Sequence, residues 1–156
     1  MGKIKYLVMD VDGTLTDGKI YMSASGEAMK AFNIKDGYGI GNLLVKLSIE
    51  PVILTGRSSE IVSNRCKELG INSVFQGIKD KAETLIRITD DLSTIAYIGD
   101  DLNDILCMKL VKQSGGIIGC PADAVEDVKL ISDFVSSFPG GEGAVRDFID
   151  WIQKNN

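Results

Sequence analysis

The chain has 156 residues, of which 44% are hydrophobic and 25% are charged, a composition typical of one globular domain with a single core. Its 17 basic and 22 acidic side chains give a net charge of -5, which argues against a general nucleic-acid or anionic-membrane surface. The absence of histidine excludes Ser-His and Cys-His catalysis and imidazole-based zinc sites. Carboxylates, Lys, Tyr or Cys must therefore carry any acid-base chemistry.

The alternation of apolar runs with amphipathic segments predicts an α/β fold, with a mainly parallel sheet flanked by helices. In chain order, strands are predicted at residues 5–9, 52–54, 74–75, 95–98, 116–119 and 134–135. Helices are predicted at residues 37–47, 59–69, 81–90, 103–110, 124–128 and 144–153. We find no internal repeat or linker, and we expect one domain over residues 1–156.

The N-terminal segment and the cysteines predict a cytoplasmic protein. No long apolar stretch precedes the first predicted strand, so we expect neither a secretory signal nor a membrane span. Cys66, Cys107 and Cys120 are odd in number and form no Cys-x-x-Cys pair. We therefore expect buried or half-buried thiols in a reducing compartment.

The first predicted strand ends in two carboxylates, Asp10 and Asp12. Because strand side chains alternate, residues two apart start on the same side. Gly13 lets the backbone turn sharply at the carboxyl edge of the sheet, which is where open α/β sheets bind ligands. Two acids so close together raise each other's pKa unless a cation or a shared proton intervenes.

Residues 18–32 interrupt the alternation and predict a β-hairpin directly after the acidic pair. Its strands are predicted at residues 19–22 and 28–32, around the turn residues 23–26. Three roles are open for this hairpin: a flap over the site, an extension of the sheet, or a subunit contact.

Three further groups of polar residues lie where later predicted strands end or helices begin. Thr55 and Gly56 precede a predicted helix and could form a phosphate cradle, although Thr55 could instead simply cap that helix. Lys81 opens a helix, a position opposed by the helix dipole unless an anion is nearby. The third group contains Asp100, Asp101, Asn103 and Asp104, more acids than helix capping alone explains.

If these groups converge, up to five carboxylates share a pocket with Lys81 and the Thr55 cradle. A hard divalent cation with oxygen ligands would hold them, and Mg²⁺ is favoured over Zn²⁺ because histidine and clustered cysteine are absent. A magnesium ion beside a phosphate cradle indicates phosphoryl chemistry, for which an aspartyl-phosphate intermediate is one known route. A phosphoacceptor receiver is the less favoured alternative, since its acceptor and acidic pair lie on different strands.

Together, the motifs Asp-x-Asp-Gly-Thr at 10–14, Thr55-Gly56, Lys81 and Gly-Asp-Asp-x-Asn-Asp at 99–104 resemble the four ordered motifs of the haloacid dehalogenase superfamily. The resemblance implies a Rossmann-like three-layer sandwich and a phosphohydrolase. It implies Asp10 as nucleophile and Asp12 as general acid and base. It assigns the phosphate to Thr55, Gly56 and Lys81, and Mg²⁺ to Asp10, the Asp12 carbonyl and Asp100, with Asp101, Asn103 and Asp104 in support.

Within the superfamily, the short intervals between the motifs resemble the capless type, in which a flap and a neighbouring subunit cover the site. The segments 26–40, 75–81, 96–101 and 140–146 resemble phosphatases of 3-deoxy-D-manno-octulosonate 8-phosphate and of nine-carbon nonulosonate 9-phosphates. This resemblance implies a homotetramer in sugar-acid biosynthesis, in a lipopolysaccharide or sialic acid pathway. A catalytically idle, phosphatase-like tetramerisation domain is the alternative.

The choice between eight-carbon and nine-carbon substrates stays open. Arg57 follows Thr55-Gly56 as in the octulosonate enzymes, whereas Glu142 in the glycine-rich tail is more similar to the nine-carbon group. Arginine binds carboxylates in a bidentate manner, so Arg57, Arg65 and Arg146 are candidates for the sugar-acid carboxylate, within one chain or across a subunit interface. Surface salt bridges are the alternative for each.

Overall fold

A computed structural model describes residues 3–155 of the chain. Within this range the strands are β1 (Tyr6–Met9), β2 (Tyr21–Ser23), β3 (Gly26–Met29), β4 (Glu50–Leu54), β5 (Ser73–Phe75), β6 (Ile95–Ile98), β7 (Ile117–Cys120) and β8 (Phe134–Val135). The α-helices are α1 (Ile34–Tyr38), α2 (Leu44–Leu47), α3 (Glu60–Glu68), α4 (Lys81–Ile88), α5 (Ile105–Gln113), α6 (Glu126–Ile131) and α7 (Ala144–Asn155). A π-helical segment, Gly39–Leu43, joins α1 to α2, and 3₁₀ turns form at Leu92–Thr94 and Leu102–Asp104.

Six strands form one parallel sheet in the order β5-β4-β1-β6-β7-β8. β1 lies in its interior and pairs with both β4 and β6. The predicted α/β architecture is confirmed, and each of the six predicted strands is present. Between β1 and β4 the described chain forms only the β2-β3 hairpin and the helical segments at 34–47, so no cap domain is inserted there.

The core lies on both faces of the sheet, as a three-layer sandwich requires. Along β1, Leu7 and Met9 pack in one apolar cluster and Val8 packs in the other. Both clusters include side chains from the strands, from the helices that cover them and from the loops between them. This packing fixes the strand ends, and therefore the polar residues that follow them.

The hairpin forms a separate two-stranded antiparallel sheet, so of the three roles left open for it, extension of the main sheet does not occur. Its strands are also shorter than predicted. The second ends at Met29 rather than Phe32, and Lys30, which follows it, contacts Asp12 through its side chain.

The first helix begins at Ile34 rather than at the predicted Gly37. The Asn33 side chain accepts hydrogen bonds from the backbone N–H groups of Lys35 and Asp36 and so caps the helix. The other helices lie where they were predicted, with shifted ends. No helix within residues 3–155 is both long enough and apolar enough to span a membrane.

Candidate active site

Three carboxylates converge at the carboxyl edge of the sheet. Asp10 follows β1, Asp100 follows β6, and Asp104 lies in the 3₁₀ turn after β6. One oxygen from each lies within 4.8 Å of the others. The backbone N–H of Asp10 donates to the carbonyl of Ile98 at 3.1 Å, which ties the ends of β1 and β6 together.

Lys81 lies between two of these carboxylates. Its Nζ donates to Asp10 Oδ1 at 2.7 Å and to Asp104 Oδ1 at 2.8 Å, and the side chain is only 5% exposed. Burial opposes the positive charge, but the two carboxylates outweigh it and raise the pKa of Lys81. The anion expected beside the first turn of α4 is therefore a pair of buried aspartates.

Asp104 connects the members of the cluster through hydrogen bonds to both of its carboxylate oxygens. Its Oδ1 accepts from Lys81 and from the Tyr97 hydroxyl, the latter at 2.8 Å. Its Oδ2 accepts from the backbone N–H groups of Asp100 and Asp101 at 3.1 and 3.4 Å. Asp104 is fully buried, and both of its oxygens already have donors.

Two glycines permit this close approach. A Cβ at Gly13 would lie 2.1 Å from Asp100 Oδ2, and the φ of +92° disfavours any other residue there. A Cβ at Gly99 would lie 2.4 Å from the Asp104 carboxyl carbon. These contacts explain why both acidic motifs contain glycine beside the aspartates.

The remaining carboxylates of the cluster resist ionisation in the absence of a cation. Burial, followed by the negative charge of Asp104, raises the pKa of Asp10 to about 6, although Lys81 opposes the shift. Burial, followed by the charges of Asp10 and Asp104, raises the pKa of Asp100 to about 8. A divalent cation would relieve this repulsion and favour the ionised form of both acids.

The donor set suits Mg²⁺, which binds through one or two carboxylates and keeps several other oxygen ligands. Asp104 has donors on both oxygens, whereas the Thr14 hydroxyl contacts only Oδ1 of Asp100, at 3.3 Å. Asp10 and Asp100 are therefore better placed than Asp104 to hold a cation.

A cleft of about 260 Å³ opens above the cluster. The predicted phosphate-binding residues Thr55 and Gly56 line it, as does Arg57. Thr55 does not cap the following helix, because the N-cap residue of α3 is Ser59. The full lining is Asp10, Asp12, Gly18, Thr55, Gly56, Arg57, Asp100, Asp101 and Asn103.

Two of the predicted supporting residues lie at this cleft. Asp101 caps the 3₁₀ turn, since its carboxylate accepts from the Leu102 backbone N–H at 2.7 Å. Asp101 and Asp104 also form a reciprocal capping box. Asn103 lines the cleft without being needed as the cap.

Within one chain, the other two candidate arginines lie outside the cleft lining. Arg65 pairs with Glu68 at 2.8 Å and lies over the Phe32 ring. Arg146 pairs with Asp150 and lies over the Tyr38 ring. Among the described residues, Arg57 is therefore the predicted arginine positioned to reach a molecule in the cleft of its own chain.

Sequence reasoning missed two residues at the site, Lys30 and Glu27. The Lys30 ammonium contacts Asp12 Oδ1, and it also pairs with Glu27 Oε1 at 2.8 Å. The segment containing both residues carried the family resemblance, but no local pattern distinguishes an inward Lys30 from a solvated one. Of the roles left open for the hairpin, contact with the site is the one seen within the chain.

Known proteins resemble this chain over almost its whole length. No protein-family model matches it. It is 41% identical over 153 residues to the 3-deoxy-D-manno-octulosonate 8-phosphate phosphatase of Escherichia coli K12, covering 96% of this chain and 79% of the relative. The corresponding phosphatase of Yersinia pestis is 40% identical over the same shares. This chain belongs to the 3-deoxy-D-manno-octulosonate 8-phosphate phosphatase family.

Solved structures of related proteins have the same fold as this chain. The Moraxella catarrhalis member superposes with a TM-score of 0.88 and 39% identity, over 97% of this chain and 86% of its own. That crystal structure contains a magnesium ion, a phosphate ion and a KDO molecule. A Legionella pneumophila hydrolase of the haloacid dehalogenase superfamily gives a TM-score of 0.87 at 34% identity, over 97% of this chain and 82% of its own.

Proposed function

We propose that this chain is a Mg²⁺-dependent phosphatase that releases phosphate from 3-deoxy-D-manno-octulosonate 8-phosphate through an aspartyl-phosphate. The observation that carries the mechanism is the buried contact of Lys81 with Asp10 and Asp104 beneath a cleft lined by Thr55 and Gly56. The substrate assignment is supported by the family membership.

In the first step, an oxygen of Asp10 attacks the phosphorus atom of the substrate. The bond from phosphorus to the sugar oxygen breaks, and Asp12 gives its proton to that oxygen. In the second step, Asp12 takes a proton from water as the water oxygen attacks the phosphorus. The bond from Asp10 to phosphorus breaks, which releases phosphate and restores both carboxyl groups.

Lys81, Thr55 and Gly56 supply binding and charge balance in this scheme. Lys81 fixes the Asp10 carboxylate through Oδ1 and balances charge on the phosphoryl group. The Thr55 hydroxyl and the Gly56 N–H would hold phosphoryl oxygens, which is supported by the position of both residues in the cleft lining. A Cβ at Gly56 would come no closer than 3.6 Å to the Ile78 carbonyl oxygen, so its use there is explained by approach of a ligand to the backbone rather than by internal crowding.

Magnesium would be held by Asp10, Asp100 and the main-chain carbonyl of Asp12. When bound, it supplies positive charge that orients the phosphoryl group and offsets the charge of the attacking carboxylate. Asp101, Asn103 and Asp104 support the ligands, and Asp104 does so through the backbone N–H of Asp100.

A nonulosonate 9-phosphate is the second candidate substrate. Arg57 at the cleft agrees with the eight-carbon assignment, whereas Glu142 favours the nine-carbon one. Glu142 lines a separate cavity with Lys35 and Arg146. Residues of that region would reach a substrate by lying over the cleft of a neighbouring subunit in a homotetramer, and the same holds for Arg65.

The proposal also includes a single phosphatase domain over residues 1–156, a cytoplasmic location and a role in sugar-acid biosynthesis. The two core clusters share one sheet, which supports the single domain. Three buried cysteine thiols are compatible with a reducing compartment.

A phosphate-release assay tests the activity. Purified protein is supplied with Mg²⁺ and either the octulosonate 8-phosphate or a nonulosonate 9-phosphate. We expect faster release from the former, loss on chelation, and loss of at least about 10³-fold in Asp10→Asn. The matched control is Asp90→Asn, which removes an exposed carboxylate. Activity that survives Asp10→Asn would refute the mechanism, and no release from either compound would favour the idle domain.

A further inference from the structure

Lys30 is a buried cation that none of the four superfamily motifs includes. It follows β3 of the hairpin, and its side chain is only 2% exposed. Its ammonium contacts Oδ1 of Asp12 and lies 2.8 Å from Oε1 of Glu27. A lysine is rarely this buried unless its charge is paired, so two carboxylates hold it in place.

Glu27 ties this lysine to the main body of the protein. Its Oε2 accepts from the Ser59 hydroxyl at 2.8 Å, and its Oε1 lies 3.4 Å from Arg57 Nη2. The Ser59 backbone N–H in turn donates to the Gln76 side chain at 2.8 Å. The hairpin is therefore attached both to the start of α3 and to Asp12.

The contact with Lys30 makes the surroundings of the two carboxylate oxygens of Asp12 different. Oδ1 is occupied by Lys30. Oδ2 has Arg57 Nε at 3.9 Å, too far for a hydrogen bond, while Asp12 lines the cleft and its side chain is 21% exposed. Lys30 itself is not among the residues that line the cleft.

We propose that Lys30 is a positioning residue that holds Asp12 Oδ1 so that Oδ2 is the oxygen that transfers the proton. This inference rests on the proposed function. In the first step, the proton on Oδ2 passes to the departing sugar oxygen as its bond to phosphorus breaks and the Asp10-phosphorus bond forms. In the second step, Oδ2 takes a proton from the water that forms its bond to phosphorus as the Asp10-phosphorus bond breaks. Lys30 contacts neither substrate nor water in these steps.

The test compares two leaving groups in a single turnover with enzyme in excess. The leaving group of the octulosonate 8-phosphate is a sugar alkoxide, which needs a proton. The leaving group of p-nitrophenyl phosphate is a stable phenolate, which does not. Release of each leaving group is measured in wild type, Lys30→Met and Asp12→Asn. Lys154→Met, at an exposed position near the end of α7, is the matched control.

We expect Lys30→Met to slow sugar release by about 10²-fold and p-nitrophenol release by less than about tenfold, since general acid catalysis contributes factors of this size. In steady state, the same variant should lose kcat on the sugar phosphate with KM within about twofold of wild type. Lys30→Arg should recover part of the lost rate. The ratio of the two release rates does not depend on the folded fraction, so partial misfolding cannot produce or hide the effect.

Three outcomes would overturn the inference: an unchanged sugar rate in Lys30→Met, equal losses on both substrates, or a raised KM with kcat intact. A selective loss in Asp12→Asn without one in Lys30→Met would reject Lys30 and keep the proposed function. Equal losses on both substrates in Asp12→Asn would reject the proton-transfer role of Asp12 itself, and the role of Lys30 with it.

Discussion

Lys81 carries a buried positive charge that compensates the negative charges of Asp10 and Asp104. It is held at 2.7 and 2.8 Å by Asp10 and Asp104. Removing one member of a buried ion pair leaves an uncompensated charge, which typically costs about 3–5 kcal/mol. The same contact therefore contributes to folding, and in the proposed mechanism it also contributes to catalysis.

We predict that Lys81→Met lowers phosphatase activity by at least about 10²-fold and the free energy of unfolding by about 3 kcal/mol in metal-free buffer. Urea denaturation and phosphate release measure the two effects. Lys79→Met, at an exposed position two residues away, should change neither. Unchanged stability in Lys81→Met would contradict the interpretation of Lys81 as the counter-charge of the buried pair.

Asp36 is a buried carboxylate outside the cluster of Asp10, Asp100 and Asp104. Its Oδ1 accepts from the Arg146 backbone N–H at 2.8 Å, and its Oδ2 has no hydrogen-bond partner among the described residues. Burial raises the pKa of Asp36, although backbone donors from the start of α7 oppose the shift. A raised pKa means that its favourable contribution to stability is present below the ordinary aspartate pKa and is lost as pH rises through the raised value.

We therefore predict that Asp36→Asn becomes more stable relative to wild type as pH rises from about 4 to about 7. The amide cannot ionise, so the variant avoids the cost that grows for the carboxylate in wild type. Urea unfolding of both proteins at each pH measures the difference in free energy of unfolding. A difference that does not change with pH, or one that moves against the variant, would contradict the prediction.

The site residues differ in how far the sequence could predict them. Asp10, Lys81 and Asp100 could be expected to meet because their motifs follow or precede strands of one parallel sheet, whose order brings the ends together. Lys30 could not be predicted in this way. Its position depends on how the hairpin attaches to the start of α3. That attachment is the hydrogen bond between Glu27 and Ser59, which are 32 residues apart in the sequence.

At the scale of elements, the C-terminal helix depends on a glycine in a buried strand. A Cβ at Gly119 in β7 would lie 2.8–3.0 Å from three atoms of the Phe148 ring in α7. Phe148 is fully buried and stacks on Phe134 with a centroid distance of 5.5 Å. The ring has little space into which it could shift.

We predict that Gly119→Ala lowers the free energy of unfolding by about 1–3 kcal/mol, as overpacking of cores commonly does. Gly41→Ala is the control, because its Cβ would meet only the Leu69 carbonyl oxygen at an ordinary 3.6 Å. Chemical denaturation of both variants checks the expectation. Equal stability of the two variants would mean that the β7-α7 contact yields to an added methyl group.

The elements themselves follow local patterns closely, and their errors have local causes. The six strands of the sheet were predictable because buried parallel strands are continuous apolar runs. The first helix begins three residues before its predicted start because Asn33 caps it. An Asn cap followed by an acidic residue in the first turn, here Asp36, is a recognisable start signal. The π-helical segment at Gly39–Leu43 has no such signal, since it reflects packing of the finished structure.

At the scale of the whole molecule, the proposed cation site would couple folding to Mg²⁺. A ligand that binds only the folded state raises its stability by mass action. Carboxylate oxygens within 4.8 Å of one another come from Asp10, Asp100 and Asp104. Their mutual repulsion destabilises the folded protein when no cation is bound.

We predict that millimolar Mg²⁺ raises the melting temperature of wild type, and that Asp100→Asn reduces the shift while raising the melting temperature without metal. Thermal denaturation with Mg²⁺ and with chelator measures both effects. Asp90→Asn should behave like wild type. A full Mg²⁺ shift in Asp100→Asn would remove Asp100 from the proposed ligands.

The hairpin also presents apolar side chains to solvent. Ile20, Met22 and Met29 are 50%, 66% and 55% exposed. Several large apolar side chains exposed on one short hairpin are compatible with an interface, which supports the proposed homotetramer. We predict that Met22→Glu dissociates the assembly, and light scattering after size-exclusion chromatography measures its mass. An unchanged mass, or a monomeric wild type, would contradict the prediction.

The interior position of β1 gives the backbone of Asp10, the proposed nucleophile, a support that differs from that of Asp12, the proposed proton carrier. Because β1 is hydrogen-bonded on both edges and the Asp10 N–H is bonded to Ile98, its amide protons should exchange with solvent only on global unfolding. Asp12 instead lies beyond the end of β1, and its carboxylate contacts Lys30, which follows the two-stranded hairpin outside the main sheet. A local movement of the hairpin would then displace Asp12, the proposed proton carrier, while Asp10, the proposed nucleophile, stays in place.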